Sequence, residues 1–284
     1  MTPLRQRMIE DMQLRGLSEV TQEKYVTAVR QLAAYYGKAP DQLSQTDLRQ
    51  YLLYLKNEKQ VSPSAYKVAL YGLKFFYLYT LQHQWSVLEL VKPPRQTRLP
   101  VVLSREEVRQ VLGCLRQPHY RVCLSTIYAC GLRLQEGVRL QVRDIDSQRM
   151  VIHVRQGKRN QDRYVPLPER TLVQLRGQWC QHRHPVWLFP GRHENTDPEP
   201  MDKSGVQRAF RAALKQSGLK KAATVHTLRH SYATHLLEAG VNLRLIQSYL
   251  GHRSLVSTAI YTHITPASEA TAKQVINRLM ADLP

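Results

Sequence analysis

The sequence contains no long apolar run and few cysteines, and both shortages narrow the classes of protein it can belong to. No apolar stretch approaches the roughly 20 residues that a membrane-spanning helix needs, so we expect no association with a membrane. The first thirty residues carry charges throughout and lack a continuous apolar segment, so we expect no secretory signal. The four cysteines form no CxxC pair, which is typical of reduced thiols in a cytoplasmic protein.

The sequence also lacks the patterns of metal and nucleotide sites. It has no Walker motif and no triad of acidic residues. Cys180, His182 and His184, with His193 nearby, come nearest to a metal cluster, but their spacing fits no standard zinc motif. We interpret them as ordinary structural side chains, and we expect no metal and no other cofactor.

Acidic residues are scarce relative to basic ones. Lys and Arg number 41 against 22 Asp and Glu, which gives a net charge of +19. Residues 1–90 hold 11 basic and 8 acidic residues, so the remainder holds 30 and 14 and carries +16 of the surplus. Such a surplus favours a polyanionic partner, with nucleic acid as the first candidate.

Residues 1–90 are predicted to form an N-terminal domain of four helices. Apolar residues recur at helical spacing in four segments of this range, and Ser44 or Thr46 can cap the third. Lys67 and Lys74 lie on the outer face of the fourth helix and are candidate DNA-binding residues. Contact with phosphates and plain solvation are equally good interpretations of these two lysines.

Residues 91–103 are predicted to be an extended, basic linker. They contain three prolines and have no apolar period. Arg95 and Arg98 lie in this segment and are also candidate DNA-binding residues. If both domains bind a nucleic acid, such a linker would let the protein close around a duplex.

Residues 104–284 are predicted to form a second domain that combines helices with a small β-hairpin. Residues 151–156 and 163–167 alternate in polarity like two strands, and residues 157–162 turn between them. The predicted fold class is therefore mainly α with a small β-sheet: a four-helix N-terminal domain followed by an α+β domain.

The stretch 225–262 concentrates residues suited to chemistry on an anion. His226 and Arg229 are three residues apart on a predicted helix, so they can reach one common ligand. His252 follows a glycine-terminated helix, and Tyr261 lies nine residues further on. Two histidines, an arginine and a tyrosine in under forty residues indicate a phosphate site with a nucleophile nearby.

These motifs resemble those of the tyrosine recombinases, a family that includes phage integrases, Xer recombinases and integron integrases. The chain shows HTLRHSYATHL, then LGH, then IYTH, preceded by ACGLRLQEGVRL at residues 129–140 and GKRNQDRYVPL at residues 157–167. The resemblance covers most of residues 104–265 and, more loosely, the N-terminal helices. It implies a core-binding domain followed by a catalytic domain, with a double-stranded DNA recombination site as the substrate. It also implies a homotetramer that assembles on two DNA sites, in the cytoplasm and associated with the nucleoid.

The resemblance also implies the residues that act on the phosphate. Tyr261 would attack phosphorus and form a 3′-phosphotyrosyl link that conserves the energy of the bond. Arg133, Arg229 and His252 would hold the non-bridging oxygens. Glu136 would orient Arg133 rather than act as an acid.

Proton transfer is assigned to two further residues by the same resemblance. His226 would accept or share the proton of the tyrosine, and Lys158, at the hairpin tip, would protonate the departing 5′-oxygen. The family often has a glycine after this lysine, where the chain has Arg159. Arg159 is therefore an alternative for the same role and a candidate DNA contact.

Two other function classes stay open at this point. A type IB topoisomerase uses the same chemistry, and a DNA-binding regulator could have lost it. Gly137 stands where the family usually has leucine, which favours integron-type relatives, but residues 190–206 are too few for the extra helix of those enzymes. Residues 267–283 form an amphipathic pattern that is predicted to be a helix, which in this family docks on a neighbouring protomer.

Overall fold

The computed structural model is mainly helical with one small sheet, as predicted, and forms two compact units, Met1–Arg98 and Leu99–Pro284. Among the described residues, no helix is long and apolar enough to cross a membrane. The structure describes residues 2–90, 99–155, 162–191, 199–252, 254–259 and 261.

The first unit consists of helices. They are α1 (Pro3–Leu14), α2 (Glu19–Tyr36), α3 (Gln45–Asn57), α4 (Pro63–Phe75) and the short α5 (Val87–Leu90). The four predicted helices are confirmed. A π-helical continuation of α4 over Phe76–Thr80 and the short α5 are additions that the sequence pattern did not predict.

Local chemistry explains why these helices start and pack where they do. The Ser44 hydroxyl accepts from the Asp47 amide at 3.2 Å, and the Asp47 carboxylate accepts from the Ser44 amide at 2.8 Å. This capping box starts α3 at Gln45 and identifies Ser44, rather than Thr46, as the cap. Leu48 of α3 is then fully buried, which stabilises the fold by about 1.5–3 kcal/mol.

The two candidate lysines of α4 differ in their surroundings. Lys67 is exposed, with its Nζ 5.9 Å from the ring centroid of Tyr71. Lys74 is half-buried, and its ammonium donates to the Leu88 carbonyl at 3.3 Å. Lys67 is therefore free to meet a phosphate, whereas Lys74 is held within its own unit instead of pointing outward. The predicted linker residues Arg95 and Arg98 lie outside the described residues.

The second unit surrounds a three-stranded antiparallel sheet with helices. Strands β1 (Ile145–Asp146), β2 (Val151–Val154) and β3 (Arg163–Pro166) lie side by side in that order. Strand β2 pairs with β3 so that Val151 faces Pro166 and Val154 faces Arg163. The elements are α6 (Arg105–Gly113), α7 (Pro118–Ala129), α8 (Leu134–Val138), β1 (Ile145–Asp146), β2 (Val151–Val154), β3 (Arg163–Pro166), α9 (Glu169–His182), α10 (Lys203–Gln216), α11 (Val225–Glu238), α12 (Leu243–Leu250) and α13 (Val256–Ala259). The two predicted strands are confirmed, while β1, α8, α9 and α13 are additions.

Helix α7 runs through the core of this unit and contacts α9, α10 and α11. Its Leu124 and Ile127 are fully buried. Gly137 of α8 faces Ile127 so closely that a Cβ there would lie 2.5 Å from Ile127 Cγ1. Ile127 thus fills the space that a side chain at residue 137 would need, and this explains why a glycine stands where the family usually has leucine.

The histidines near residue 180 form hydrogen bonds within their own segment. The Nδ1 atom of His184 accepts from the amides of Val186 at 3.1 Å and Trp187 at 2.9 Å. Cys180 is exposed, and all four cysteines are free thiols. Within the described ranges, no three His, Cys, Asp or Glu side chains are placed to hold a metal ion, and His193 lies outside those ranges.

Candidate active site

Arg229 projects from α11 into the centre of the site, and only 1% of the residue is exposed. Its Nη1 donates to the Gly131 carbonyl at 2.7 Å, and its Nη2 donates to the Leu250 carbonyl. These carbonyls lie at the C-terminal ends of α7 and α12, so the negative ends of two helix dipoles face the guanidinium. Burial, followed by the charge of Arg133, lowers the pKa of Arg229 to about 9, which keeps the side chain charged at neutral pH.

Arg133 is held by Glu136 and by the turn that follows α12. It is the N-cap of α8, and its backbone amide and its Nη1 each donate to a Glu136 carboxylate oxygen at 2.7 Å. Its Nη2 donates to the Gly251 carbonyl at 3.2 Å. The expectation that Glu136 orients Arg133 agrees with this geometry, and the guanidinium remains about one quarter exposed, with 26% of the side chain accessible.

Arg163 of β3 is a site residue that the sequence analysis did not single out. It donates to both oxygens of Glu136, at 2.9 and 2.7 Å, and its Nε donates to the Tyr249 carbonyl at 2.8 Å. Strand alternation places Arg163 on the same face as the fully buried Val165, so a charged residue at an inward strand position was the available signal. An arginine there needs a buried carboxylate, and Glu136 is that carboxylate.

Glu136 is surrounded by cationic groups. Burial alone would raise the pKa of its carboxyl, but the hydrogen bonds and charge of Arg163, together with the hydrogen bonds from Arg133, lower it to about 2. The Nη1 of Arg229 lies 3.8 Å from the same carboxylate. One anion therefore stabilises three neighbouring guanidinium groups and still leaves a net positive site for a phosphate.

The backbone turn at Gly251 brings His252 into the site. Gly251 ends α12 at φ +59°, and a Cβ at this position would lie 3.0 Å from Arg163 Cδ, so the turn and the close approach both require glycine. The Nδ1 of His252 lies 3.0 Å from the Thr258 hydroxyl. Burial, then the charges of Arg229 and Arg133, lower the pKa of His252 to about 4.

Tyr261 is almost fully enclosed, with 1% of the residue exposed. It packs in a small apolar cluster with Ala233, Ile246 and Leu250. Burial raises the pKa of its hydroxyl, while the nearby charge of Arg229 acts in the opposite direction. The hydroxyl lies 2.8 Å from the Nδ1 of His230.

His230 is the second site residue that the sequence analysis missed. It follows Arg229 directly and lies one helical turn from His226, so the spacing that singled out His226 and Arg229 includes it as well. The ring of His226 meets that of His230 edge-to-face, with centroids 4.6 Å apart. His226 is exposed to solvent. Partial desolvation of its ring by the surrounding protein, followed by the charges of Arg229 and Arg133, nevertheless lowers its pKa.

Five of the six predicted catalytic residues thus meet in one place. The structure connects Arg133, Arg229, His252 and Tyr261 through the contacts above and places His226 beside His230. Lys158 and Arg159 lie outside the described residues.

Comparison with known proteins gives a consistent result. Residues 102–268 match the phage integrase family, and residues 4–87 match the phage integrase N-terminal SAM-like domain. A putative integrase/recombinase of Sinorhizobium fredii is 46% identical over 265 residues, which cover 93% of this chain and 85% of the relative. An integrase/recombinase of Escherichia coli is 34% identical, over 91% of this chain and 88% of the relative.

A solved structure shares the fold at lower identity. The crystal structure of the XerH site-specific recombinase bound to a palindromic difH substrate, in a post-cleavage complex, has a TM-score of 0.74 at 19% identity, over 93% of this chain and 82% of that one. A helical first unit, together with a second unit in which arginines and histidines surround a buried tyrosine, agrees with the recombinase class. The chain belongs to the phage integrase family. This confirms the resemblance and the fold class, and it favours site-specific DNA recombination over a topoisomerase or an inactive regulator.

Proposed function

We propose that this protein cuts and rejoins double-stranded DNA at specific sites through a 3′-phosphotyrosyl intermediate on Tyr261. The observation that carries the proposal is the position of that hydroxyl. Tyr261 is buried, its hydroxyl lies against His230, and the positive charge of Arg229 is close enough to act on its pKa. The XerH recombinase, which shares the fold, forms a post-cleavage complex with its DNA substrate, and this supports the same class of reaction for this chain.

Charge stabilisation comes from side chains that are fixed before DNA binds. In-line attack on a phosphodiester puts added negative charge on the non-bridging oxygens of the phosphorane. Arg133 and Arg229 are held in place by carbonyls and by Glu136, so little reorganisation is needed when that charge develops. His252, at the end of the α12 turn, completes the group that we assign to the non-bridging oxygens.

In the cleavage step, the protein and the DNA supply every bond partner and every proton that is needed. The bond from Tyr261 to phosphorus forms, and the bond from phosphorus to the 5′-oxygen breaks. The tyrosine proton passes to a histidine, and Lys158 supplies a proton to the 5′-oxygen. The phosphotyrosyl bond conserves energy for rejoining, and the arginines supply positive charge, so we propose that cleavage and rejoining need neither a nucleotide nor a metal ion.

The test is a search for the covalent DNA adduct. A binding site is first selected from random-sequence DNA with the wild-type protein, and adduct formation is then followed by denaturing electrophoresis. Tyr261→Phe should keep the affinity for this DNA within about twofold, because only one oxygen is lost, and should form no adduct. Tyr249→Phe is the matched control and should form the adduct normally. Persistence of the adduct in Tyr261→Phe would show that another residue is the nucleophile.

We also propose that four copies assemble on two DNA sites, and that the protein works in the cytoplasm, where it is associated with the nucleoid. Recombination needs two duplexes held together, and residues 267–283 have the amphipathic sequence of a helix that can pack on a second copy. Removing every residue after Pro266 should leave binding to a single half-site intact and eliminate recombination between two sites. Two-site recombination by the truncated protein would disprove this assembly.

The basic residues outside the catalytic group are proposed to hold the DNA backbone. Lys67, Arg95, Arg98 and Arg159 are the candidates, and Lys74 is a weaker one because its ammonium already bonds to a carbonyl. Each phosphate contact that is lost should lower the salt dependence of binding by about 0.9 in the slope of log K against log salt.

A further inference from the structure

The hydroxyl of Tyr261 has a different neighbour from the one that the resemblance assigned. The resemblance gives the tyrosine proton to His226. The hydrogen bond in the structure joins Tyr261 to His230 instead, at 2.8 Å between the hydroxyl oxygen and Nδ1. The ring of His226 meets the ring of His230 edge-to-face.

We propose that His230 is a further catalytic residue, which accepts the proton of Tyr261 as the tyrosine oxygen bonds to phosphorus. His226 then supports the ring of His230 instead of receiving the proton from the hydroxyl. The proposal rests on the proposed function, because it assigns a role within the same cleavage step.

The burial of Tyr261 creates the need for such an acceptor. The residue is 1% exposed, so bulk water cannot easily take the proton. A buried phenol also keeps its proton until the oxygen begins to bond to phosphorus. General-base catalysis requires an acceptor within about 2.6–3.2 Å of the proton donor, and the Nδ1 of His230 satisfies that distance.

The surroundings of His230 keep it ready to accept. Burial, then the charges of His226 and Arg229, lower its pKa to about 4, so the imidazole is neutral at neutral pH. With the hydroxyl donating to Nδ1, the ring carries its hydrogen on Nε2. A bound phosphodiester adds negative charge near these cations, which favours the protonated ring at the moment when it forms.

The same residue would act in both directions. During cleavage, the proton moves from the Tyr261 oxygen to Nδ1 of His230 while the bond from phosphorus to the 5′-oxygen breaks. During rejoining, the 5′-hydroxyl attacks phosphorus and gives its proton back to Lys158, while the protonated His230 returns its proton to the Tyr261 oxygen as the phosphotyrosyl bond breaks. The loss of His230 should therefore slow both steps.

Two substitutions distinguish proton acceptance from simple positioning. An asparagine amide at residue 230 can occupy the place of Nδ1 and hydrogen-bond to Tyr261, but it cannot take up a proton. His230→Ala removes both the hydrogen bond and the proton acceptor. His226→Asn is the matched comparison on the neighbouring turn of the same helix face.

The experiment measures single-turnover adduct formation by the full-length protein on a nicked form of the selected DNA. His230→Asn should cleave about 10²–10³-fold more slowly than wild type with DNA affinity within twofold, because general-base catalysis typically contributes 10²–10⁴-fold. Each variant is then prepared with a fluorinated tyrosine at position 261, which is a more acidic phenol. The fluorinated tyrosine should accelerate His230→Asn and His230→Ala much more than the wild type, because a more acidic nucleophile needs less help from a base.

Several outcomes would overturn the assignment. Cleavage by His230→Asn at the wild-type rate would reduce His230 to a positioning residue. Rescue of His226→Asn alone by the fluorinated tyrosine would return the role to His226. An adduct that persists in Tyr261→Phe would instead refute the proposed function, so the two failures can be told apart. If His230→Asn unfolds, His230→Ala with the fluorinated tyrosine answers the same question.

Discussion

Replacing Glu136 with glutamine tests whether the arginine cluster is stabilised by one buried carboxylate. The side chain is 8% exposed and accepts hydrogen bonds from Arg133 and from both ends of the Arg163 fork. Glutamine has nearly the same shape but carries no charge and presents one acceptor oxygen instead of two. Three guanidinium groups would then face each other without a counterion.

The magnitude follows from the pKa of the carboxyl. Burial opposes ionisation, but Arg163 and Arg133 outweigh it and lower the pKa from 4.5 to about 2, which corresponds to about 3 kcal/mol of stabilisation. Removing one partner of a buried ion pair costs about 3–5 kcal/mol in general, which agrees. Because the folded-state pKa is lower than the unfolded one, this stabilisation is complete above pH 4.5 and is lost as the pH falls towards 2. Between pH 5 and 3.5 the difference between wild type and variant should shrink by about 1 kcal/mol.

The assay is urea unfolding of the full chain, carried out in a Trp85→Phe background. The remaining tryptophans, Trp179 and Trp187, then report on the unit that contains Glu136. Glu238→Gln, at an exposed position of the same unit, is the control and should change the free energy of unfolding by less than about 0.5 kcal/mol. A Glu136→Gln variant as stable as this control would refute the inferred role of the carboxylate. A loss that does not vary with pH would attribute the effect to packing instead of charge.

Two further predictions concern α8 and the hairpin. Gly137→Ala should destabilise the protein by about 1–3 kcal/mol in urea unfolding, because the new Cβ meets Ile127, and it should cost less when Ile127 is alanine. Gly177→Ala, at an open position in α9, should instead be neutral or stabilise by up to about 1 kcal/mol, and equal effects at both glycines would contradict the close contact. A 5′-bridging phosphorothioate needs no protonation to leave, so it should restore adduct formation to Lys158→Ala but not to Arg229→Ala. Restoration of Arg159→Ala instead would move the general acid by one residue.

The sequence predicted those helices and strands that have a cap or a regular apolar pattern within their own segment. The capping box of Ser104 and Glu107 is such a signal: it starts α6, and the Ser104 hydroxyl accepts from the Glu107 amide at 3.2 Å. Helix α9 was missed because it starts after Pro168 without a side-chain cap and contains Gly177, which costs about 1 kcal/mol in a helix. Packing against α7, with Leu175 buried, compensates for this weak local preference.

In the candidate site, too, residues could be predicted where the signal lies in one helix, and were missed where their partner is distant in the sequence. His226 and Arg229 could be predicted because their spacing on one helix is itself the signal. His230 has the same spacing, but its use depends on Tyr261, which lies 31 residues further along the chain and meets it only in the folded unit. The role of Arg163 likewise depends on Glu136, 27 residues earlier. Such pairings follow from tertiary packing, which a single sequence does not display.

The hydrogen bonds of Arg229 to the Gly131 and Leu250 carbonyls have a consequence for genetic experiments in living cells. An arginine that joins the ends of two helices supports folding in addition to its proposed role in catalysis. A variant at this position should therefore unfold more often, be degraded by cellular proteases and fall in abundance. Lost recombination in such a strain would reflect missing protein as much as missing catalysis. Tyr261→Phe avoids this ambiguity because it keeps the aromatic ring in its apolar cluster, which makes it the better choice for a stable, inactive competitor that still occupies DNA.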